Sequence, residues 1–172
     1  ISDTHIHNNE RHDEYYEILN QLDDIKDIDY CVFTGDLAHS KSNISPEYVR
    51  LASWLILKLS KIAKKNVIIV PGNHDKNEKN NNRLDAISPI VESLNLDNIM
   101  ISVQSEILFE YDCVFLNYSI FDENYDFKIE NIQPHHSNKP VIGLFHGPLD
   151  GCTTDIGFKI SSHKKIDFKI CD

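Results

Sequence analysis

The chain has 172 residues, of which 41% are apolar, so it can bury a substantial core and has the size of one domain spanning residues 1–172. Its formal net charge of −10 argues against a protein that holds nucleic acid by bulk positive charge, although acidic residues at a metal site would contribute to the same balance. Four widely spaced cysteines without a C-x-x-C pair, and the lack of a long apolar run or signal peptide, predict an intracellular protein with reduced thiols and no membrane association.

The first half of the chain alternates helix and strand patterns. Ser45-Pro46 is a typical helix start, since serine caps free N–H groups and proline fits the first turn, and apolar residues then recur at helical spacing up to Lys64-Lys65. This alternation predicts parallel strands joined by helical crossovers. The predicted elements in chain order are helix Asp13–Leu22, strand Tyr30–Thr34, the helix starting at Ser45, strand Val67–Val70 and helix Leu84–Leu94.

The second half has a different character. Two apolar runs separated only by Asp112 predict strands with a tight connection that can be antiparallel, and a further buried strand follows later. The predicted fold is therefore α/β, a layered sandwich with mixed sheets. The three strands are Ile107–Tyr111, Cys113–Leu116 and Val141–Phe145, and no structure is assigned to the polar stretch Asn117–Lys139.

Both ends of the chain have the pattern of interrupted strands. Ile1 begins inside an apolar strand pattern, and the apolar run Ile166–Cys171 stops abruptly near the other end. We therefore expect a fragment that is truncated at both ends.

Polar residues that commonly bind metals follow four of the predicted strands directly. Because neighbouring parallel strands end at the same edge of an open α/β sheet, such residues meet in one crevice although they are distant in sequence. The four segments are Asp3-Thr4-His5, Gly35-Asp36, Gly72-Asn73-His74-Asp75 and His146-Gly147.

The residue types indicate which ions such a site would hold. Carboxylate, imidazole and amide oxygen together suit manganese, iron or zinc, whereas purely oxygen ligands favour magnesium or calcium. Asp36 has two carboxylate oxygens and can bridge two ions. The glycines before Asp36 and Asn73 permit sharp turns and close approach of the backbone.

Four ordered motifs, D-x-H, G-D, G-N-H-D and a later histidine after a strand, resemble those of the calcineurin-like metallophosphoesterases over nearly the whole chain. The resemblance implies the α/β/β/α sandwich of that family and a catalytic domain that binds two divalent metal ions. It assigns Asp3 and His5 to one ion, Asp36 to the bridge, and Asn73 and His146 to the other ion.

The same resemblance assigns catalytic roles to two further residues of the G-N-H-D motif. His74 is expected beside the scissile phosphate rather than on a metal, and Asp75 is expected to orient the His74 imidazole, as carboxylates commonly do.

The segment G-D-L-A-H, residues Gly35 to His39, is similar to the G-D-L-F-H segment of the SbcD-type DNA-repair nucleases, although Ala38 replaces their aromatic residue. His146-Gly147-Pro148-Leu149 followed by Gly151 is similar to another of their segments. This resemblance implies a second phosphate-facing histidine, His39, and a manganese-dependent DNA exonuclease and endonuclease. It also implies an SbcC-type, SMC-like ATPase as partner and a homodimer of the full-length protein.

Two other functions stay open at this stage. The same chemistry would serve a protein phosphatase or a small-molecule phosphodiesterase, although His39 favours the nucleases, and a scaffold without metals would have lost ligands that are retained here.

The late G-H-x-H or G-D-x-H motif of the family does not occur before Asp172, and we expect it beyond that residue. The remaining histidines are interpreted as surface residues: His7, His12, His135, His136 and His163.

Overall fold

Three parallel strands form the first sheet of the protein, whose computed structural model describes residues 1–80, 82–122, 138–148, 151–153 and 156–159. The strands β1 (Cys31–Thr34), β2 (Val67–Val70) and β3 (Ile99–Ile101) lie in the order β1-β2-β3. All four residues of β2 are buried, as expected for the central strand of a sheet covered on both faces. The sequence patterns predicted β1 and β2 but missed β3, which has only three residues and no alternation of polar and apolar side chains.

The longest helix, α2 (Pro46–Ile62), supplies much of the core beside this sheet. Ser45 is its N-cap and Pro46 is its first residue, as predicted, and the side chain of Ser45 accepts a hydrogen bond from the backbone N–H of Tyr48 at 3.1 Å. The helix buries Tyr48, Leu51, Ala52, Leu55, Ile56 and Leu59.

Helix α1 (His12–Asn20) and the short 3-10 helix that follows it (Gln21–Asp24) occupy the region predicted as helix Asp13–Leu22. Helix α3 (Ser88–Leu94) begins four residues later than predicted, because the buried carboxylate of Asp85 accepts the backbone N–H groups of Ile87 and Ser88 before the helix starts. Leu84, the predicted first residue, is 74% exposed. The prediction extended the helix back to Leu84 from the apolar spacing alone, whereas the Asp85 side chain binds the backbone at the actual start of the helix.

The first six residues run alongside β1. The backbone N–H of Thr34 donates to the carbonyl of Ile1 at 2.9 Å, and the N–H of Ile6 donates to the carbonyl of Leu37 at 2.8 Å. Ile6 and Ala38 form a parallel bridge, and both are buried. This pairing positions the D-x-H segment beside the loop that follows β1.

The second sheet consists of β4 (Glu106–Phe109), β5 (Val114–Tyr118) and β6 (Val141–Phe145). β4 pairs with β5 in antiparallel fashion, β5 pairs with β6 in parallel fashion, and all five residues of β5 are buried. The tight antiparallel connection and β6 were predicted correctly, whereas Asn117 and Tyr118 belong to β5 rather than to an unstructured stretch. The predicted strand Ile166–Cys171 and most of the polar stretch Asn117–Lys139 lie outside the described residues.

The predicted α/β class with mixed sheets is confirmed by one parallel and one mixed sheet. The chain divides into two compact units, Ile1–Val103 and Gln104–Asp172, each containing one sheet. The α/β/β/α layering of the two sheets and the assignment of the whole chain to one domain stay predictions. None of the helices in the described residues has both the length and the apolar character needed to cross a membrane.

The N-cap of α2 gives a test of the fold. Ser45→Ala removes the oxygen that accepts from Tyr48 and that also donates to the carbonyl of Asn8. We expect the free energy of unfolding, measured with urea, to fall by about 1 to 2 kcal/mol. Ser53→Ala on the same helix is the matched control and should leave stability unchanged or raise it by a few tenths of a kcal/mol, since alanine favours helices. Equal losses in both variants would contradict the cap.

Candidate metal centre

Three segments of the first unit bring predicted site residues together at the carboxyl ends of β1 and β2. The Nε2 atom of His5 lies 3.5 Å from Oδ2 of Asp36. Candidate ligand atoms of His5, Asp36 and His74 all lie within 4.8 Å of one another, and those of Asp3 and Asp36 are within the same distance. Four residues from three segments that are far apart in sequence, Asp3, His5, Asp36 and His74, therefore form one cluster, here called the His5–Asp36 cluster.

The backbone of this cluster adopts an uncommon conformation. Asp3, His5 and Asp36 have φ angles of 56°, 44° and 56°, and Gly35 has a φ angle of 86°. A non-glycine residue in this left-handed region costs on the order of 1 to 2 kcal/mol, less for aspartate than for most other residues. Hydrogen bonds from Asp3 N–H to the Gly35 carbonyl and from His5 N–H to the Asp36 carbonyl, both 2.9 Å long, hold the arrangement. Strained backbone concentrated at candidate ligands is typical of a functional site.

Asp36 is the buried centre of the cluster, with 4% of its surface exposed. Its Oδ1 atom accepts the backbone N–H of His74 at 2.9 Å, while its Oδ2 atom faces His5. The carboxylate thus joins the loop after β1 to the loop after β2. This position agrees with the bridging role that the resemblance implies for Asp36, although that role stays a prediction.

Asp75 has a different environment from the one predicted. Its fully buried carboxylate accepts backbone N–H groups from both loops, those of Asp36, Ala38 and Gly72 at 2.8 Å and that of Leu37 at 3.3 Å. Burial raises the pKa of the Asp75 carboxyl to about 6, the backbone donors oppose this rise, and the nearby charge of Asp36 adds to it. Asp75 therefore stabilises the shape of the two loops.

The His74 imidazole is oriented by another group. Its Nδ1 atom lies 2.9 Å from the backbone carbonyl of His39, which can only accept a hydrogen bond. The expectation that Asp75 orients His74 is wrong, because within the described part of the chain both Asp75 oxygens are bonded to backbone N–H groups. Sequence proximity suggested a side-chain pair, but the carboxylate points back into the loops.

The residues of the cluster fit a divalent metal ion. The Nδ1 atom of His5 is buried and has no hydrogen-bond partner among the described residues, and such an atom is normally satisfied by a cation or a water molecule. The carboxylates of Asp3 and Asp36 and the imidazole of His5 are donors that manganese, iron and zinc accept. The cluster therefore has the chemistry of a transition-metal site.

Two predicted ligands lie apart from these measured contacts. Asn73 is half-buried directly before His74 and lines a pocket together with His39, Ser40, Lys41, Ser42 and His74. His146 directly follows β6 in the second unit and is buried. The binding of an ion by Asn73 and His146 stays a prediction.

One histidine of this region was missed by the sequence reasoning. His7, interpreted as a surface residue, is half-buried, and its ring stacks on that of His39 with centroids 4.0 Å apart. His7 could have been identified by assuming parallel pairing of the D-T-H-I-H segment with the G-D-L-A-H segment. Such pairing makes His7 and His39, the last histidines of the two segments, neighbours.

The contacts of Asp75 predict a structural loss on substitution. Asp75→Ala leaves four backbone N–H groups without their acceptor, and we expect the metal-free protein to lose about 3 to 4 kcal/mol in its free energy of unfolding. Asp75→Asn keeps the shape and one carbonyl oxygen and should lose less. Urea unfolding measures both, with the exposed Asp97→Ala as control.

A different outcome would restore the earlier interpretation of Asp75. If Asp75→Ala unfolded at the same urea concentration as the control variant while losing turnover, the carboxylate would act through His74 rather than through the loops.

Comparison with known proteins identifies the family. The model of the calcineurin-like phosphoesterases matches residues 1–170. An uncharacterized protein of Acanthamoeba polyphaga mimivirus is 34% identical over 183 residues, which cover 98% of this chain and 13% of that protein. The chain thus spans only a small part of the length of this relative. Since the family model matches almost the whole sequence, the chain belongs to the calcineurin-like phosphoesterases.

Proposed function

We propose that this protein is a manganese-dependent DNA nuclease of the SbcD type, with exonuclease and endonuclease activity in double-strand-break repair or recombination. Its family supports metal-dependent hydrolysis of phosphoesters, so the proposal concerns the substrate and the metal. The observation that carries it is the convergence of His5, Asp36 and His74, with candidate ligand atoms within 4.8 Å of one another, beside the loop that contains His39.

The metal ligands in this proposal are those that the family motifs imply. Asp3 and His5 would hold one ion, Asn73 and His146 the other, and Asp36 would belong to both. When bound, such a pair of ions lowers the pKa of a water molecule and neutralises charge on the phosphoryl oxygens. Manganese suits the mixed imidazole and oxygen ligands and is the metal that the SbcD resemblance implies.

His74 has the geometry of a group that acts on the substrate. Its Nδ1–H donates to the carbonyl of His39, which leaves Nε2 available, and its backbone N–H is fixed by Asp36. An imidazole held in this way can give a proton to the leaving oxygen or stabilise the charge that develops there. His39 would present a second imidazole to the phosphate.

A cationic pocket beside the cluster supports a strand of nucleic acid as substrate. The exposed ammonium group of Lys41 donates to the carbonyl oxygen of Asn73 at 2.9 Å, and Ser40 and Ser42 line the same pocket. A phosphate next to the scissile one would find a cation and hydroxyl donors there. This local charge is compatible with a formal net charge of −10.

The partners belong to the same proposal. An SbcC-type, SMC-like ATPase and homodimerisation of the full-length protein would add DNA-binding surface to a domain whose formal net charge is −10. The resemblance of the G-D-L-A-H segment to the SbcD-type nucleases supports both.

Substitution of His74 tests the catalytic assignment. We expect His74→Ala to retain manganese binding, measured by titration calorimetry, and to lose about 100- to 10,000-fold in kcat toward bis(p-nitrophenyl) phosphate, since a general acid contributes on this scale. Asp36→Ala is the comparison and should lose both manganese binding and turnover.

The same two measurements can contradict the assignment. Loss of manganese binding in His74→Ala would make His74 a ligand, and unchanged kcat would remove it from the reaction.

Substitution of Lys41 tests whether the substrate is a nucleic acid. With manganese, the protein should cleave single- or double-stranded DNA, and Lys41→Ala should raise KM for an oligonucleotide about 3- to 10-fold while leaving hydrolysis of the small diester unchanged. The slope of log affinity against log salt should become shallower by roughly 0.7 to 0.9, as expected for one lost phosphate contact.

Lys61→Ala, an exposed lysine on α2, is the matched control and should behave as the unmodified protein. Hydrolysis of the small diester without any cleavage of DNA would reject the nuclease and favour a phosphatase or small-molecule phosphodiesterase.

A further inference from the structure

We infer that His7 is a positioning residue that holds the imidazole of His39 in the orientation needed at the phosphate. The two rings are stacked, with centroids 4.0 Å apart and planes inclined by 13°. The inference rests on the proposed function, because it is there that His39 is assigned to the substrate.

The fold places these two histidines side by side through backbone pairing. Ile6 and Ala38 form a parallel bridge, and the N–H of His39 donates to the carbonyl of Ile6 at 3.0 Å. In parallel pairing, neighbouring residues of adjacent segments project their side chains to the same side. His7 and His39 each follow one member of the bridge, so the stack is a direct consequence of the register.

His39 has few other restraints on its ring. It is exposed, and within the described residues its hydrogen bonds are made by its backbone N–H and carbonyl and not by its ring nitrogens. The rings of His5 and His74 lie farther away, at 6.1 and 6.2 Å between centroids. An exposed side chain with two rotatable bonds samples several rotamers, and the flat contact with His7 restricts them.

His7 is the better anchored member of the pair. It is half-buried, and its carbonyl accepts a hydrogen bond from Nε2 of His12 at 2.6 Å. Its own Nδ1 lies 3.8 Å from Oε2 of Glu10, beyond hydrogen-bond distance. The ring of His7 therefore contributes its flat face to the stack, and this contact does not require its nitrogens.

Replacing His7 with another aromatic residue separates the positioning role from that of a metal ligand or proton carrier. We expect His7→Ala to lower kcat for bis(p-nitrophenyl) phosphate about 3- to 10-fold, the range that loss of an aromatic pair implies, with manganese affinity unchanged. His7→Phe should recover most of the lost kcat. Asn9→Ala, an exposed residue of the same loop, is the matched control and should keep the original kcat.

A double substitution tests whether His7 acts through His39. In a His39→Ala background, adding His7→Ala should cause no further loss, because the ring that His7 holds is gone. Additive losses, or a His7→Phe variant as impaired as His7→Ala, would overturn the inference.

A measurement without turnover keeps this test separate from the proposed function. In the metal-free protein, the carbon-bound ring protons of His39 should move downfield in the NMR spectrum of His7→Ala, since stacking shields them, and should stay shielded in His7→Phe. Unchanged His39 resonances in His7→Ala would overturn the stacked pair. An inactive protein with the expected shifts would reject the proposed enzyme while leaving the pairing of the rings intact.

Discussion

The candidate site depends on one buried carboxylate. Asp75 accepts backbone N–H groups from the loop after β1 and from Gly72 in the loop after β2. A carboxylate buried without such donors would be strongly unfavourable, and four loop N–H groups without an acceptor would be equally so. The Asp75 carboxylate and the four backbone N–H groups therefore satisfy one another. The two loops are thereby held together before any ion or substrate arrives, and Asp36 and His74 keep their places in them.

Backbone strain and the pairing of the first segment with the loop after β1 also position the site. The left-handed backbone at Asp3, His5 and Asp36 turns ligand side chains toward one point, and the hydrogen bonds between the first segment and the loop after β1 offset the strain. The same register brings His7 onto His39, whose carbonyl in turn orients His74. The site is therefore a set of short loops in which backbone atoms position the imidazoles and carboxylates.

The sequence predictions failed where specific hydrogen bonds decide the outcome. Helix α3 begins at Ser88 because the Asp85 side chain accepts the N–H groups of Ile87 and Ser88, a local contact that apolar spacing does not reveal. β3 has only three residues and exists because Val67 to Ile69 offer a parallel edge. The role of Asp75 depends on donors 37 to 39 residues away, so its sequence neighbour His74 was a misleading guide.

The sequence by itself determined the α/β class, the strands at Val67–Val70 and Val141–Phe145, the capped start of α2 and the set of candidate ligands. These features are local, because burial patterns, capping and ligand chemistry are properties of short segments. Only the tertiary structure decided that Asp75 binds loop backbone, that His39 orients His74 through its carbonyl, and that His7 stacks on His39. Those facts depend on the register between segments about 30 to 40 residues apart, and register is set by hydrogen bonds that form only when the chain has folded.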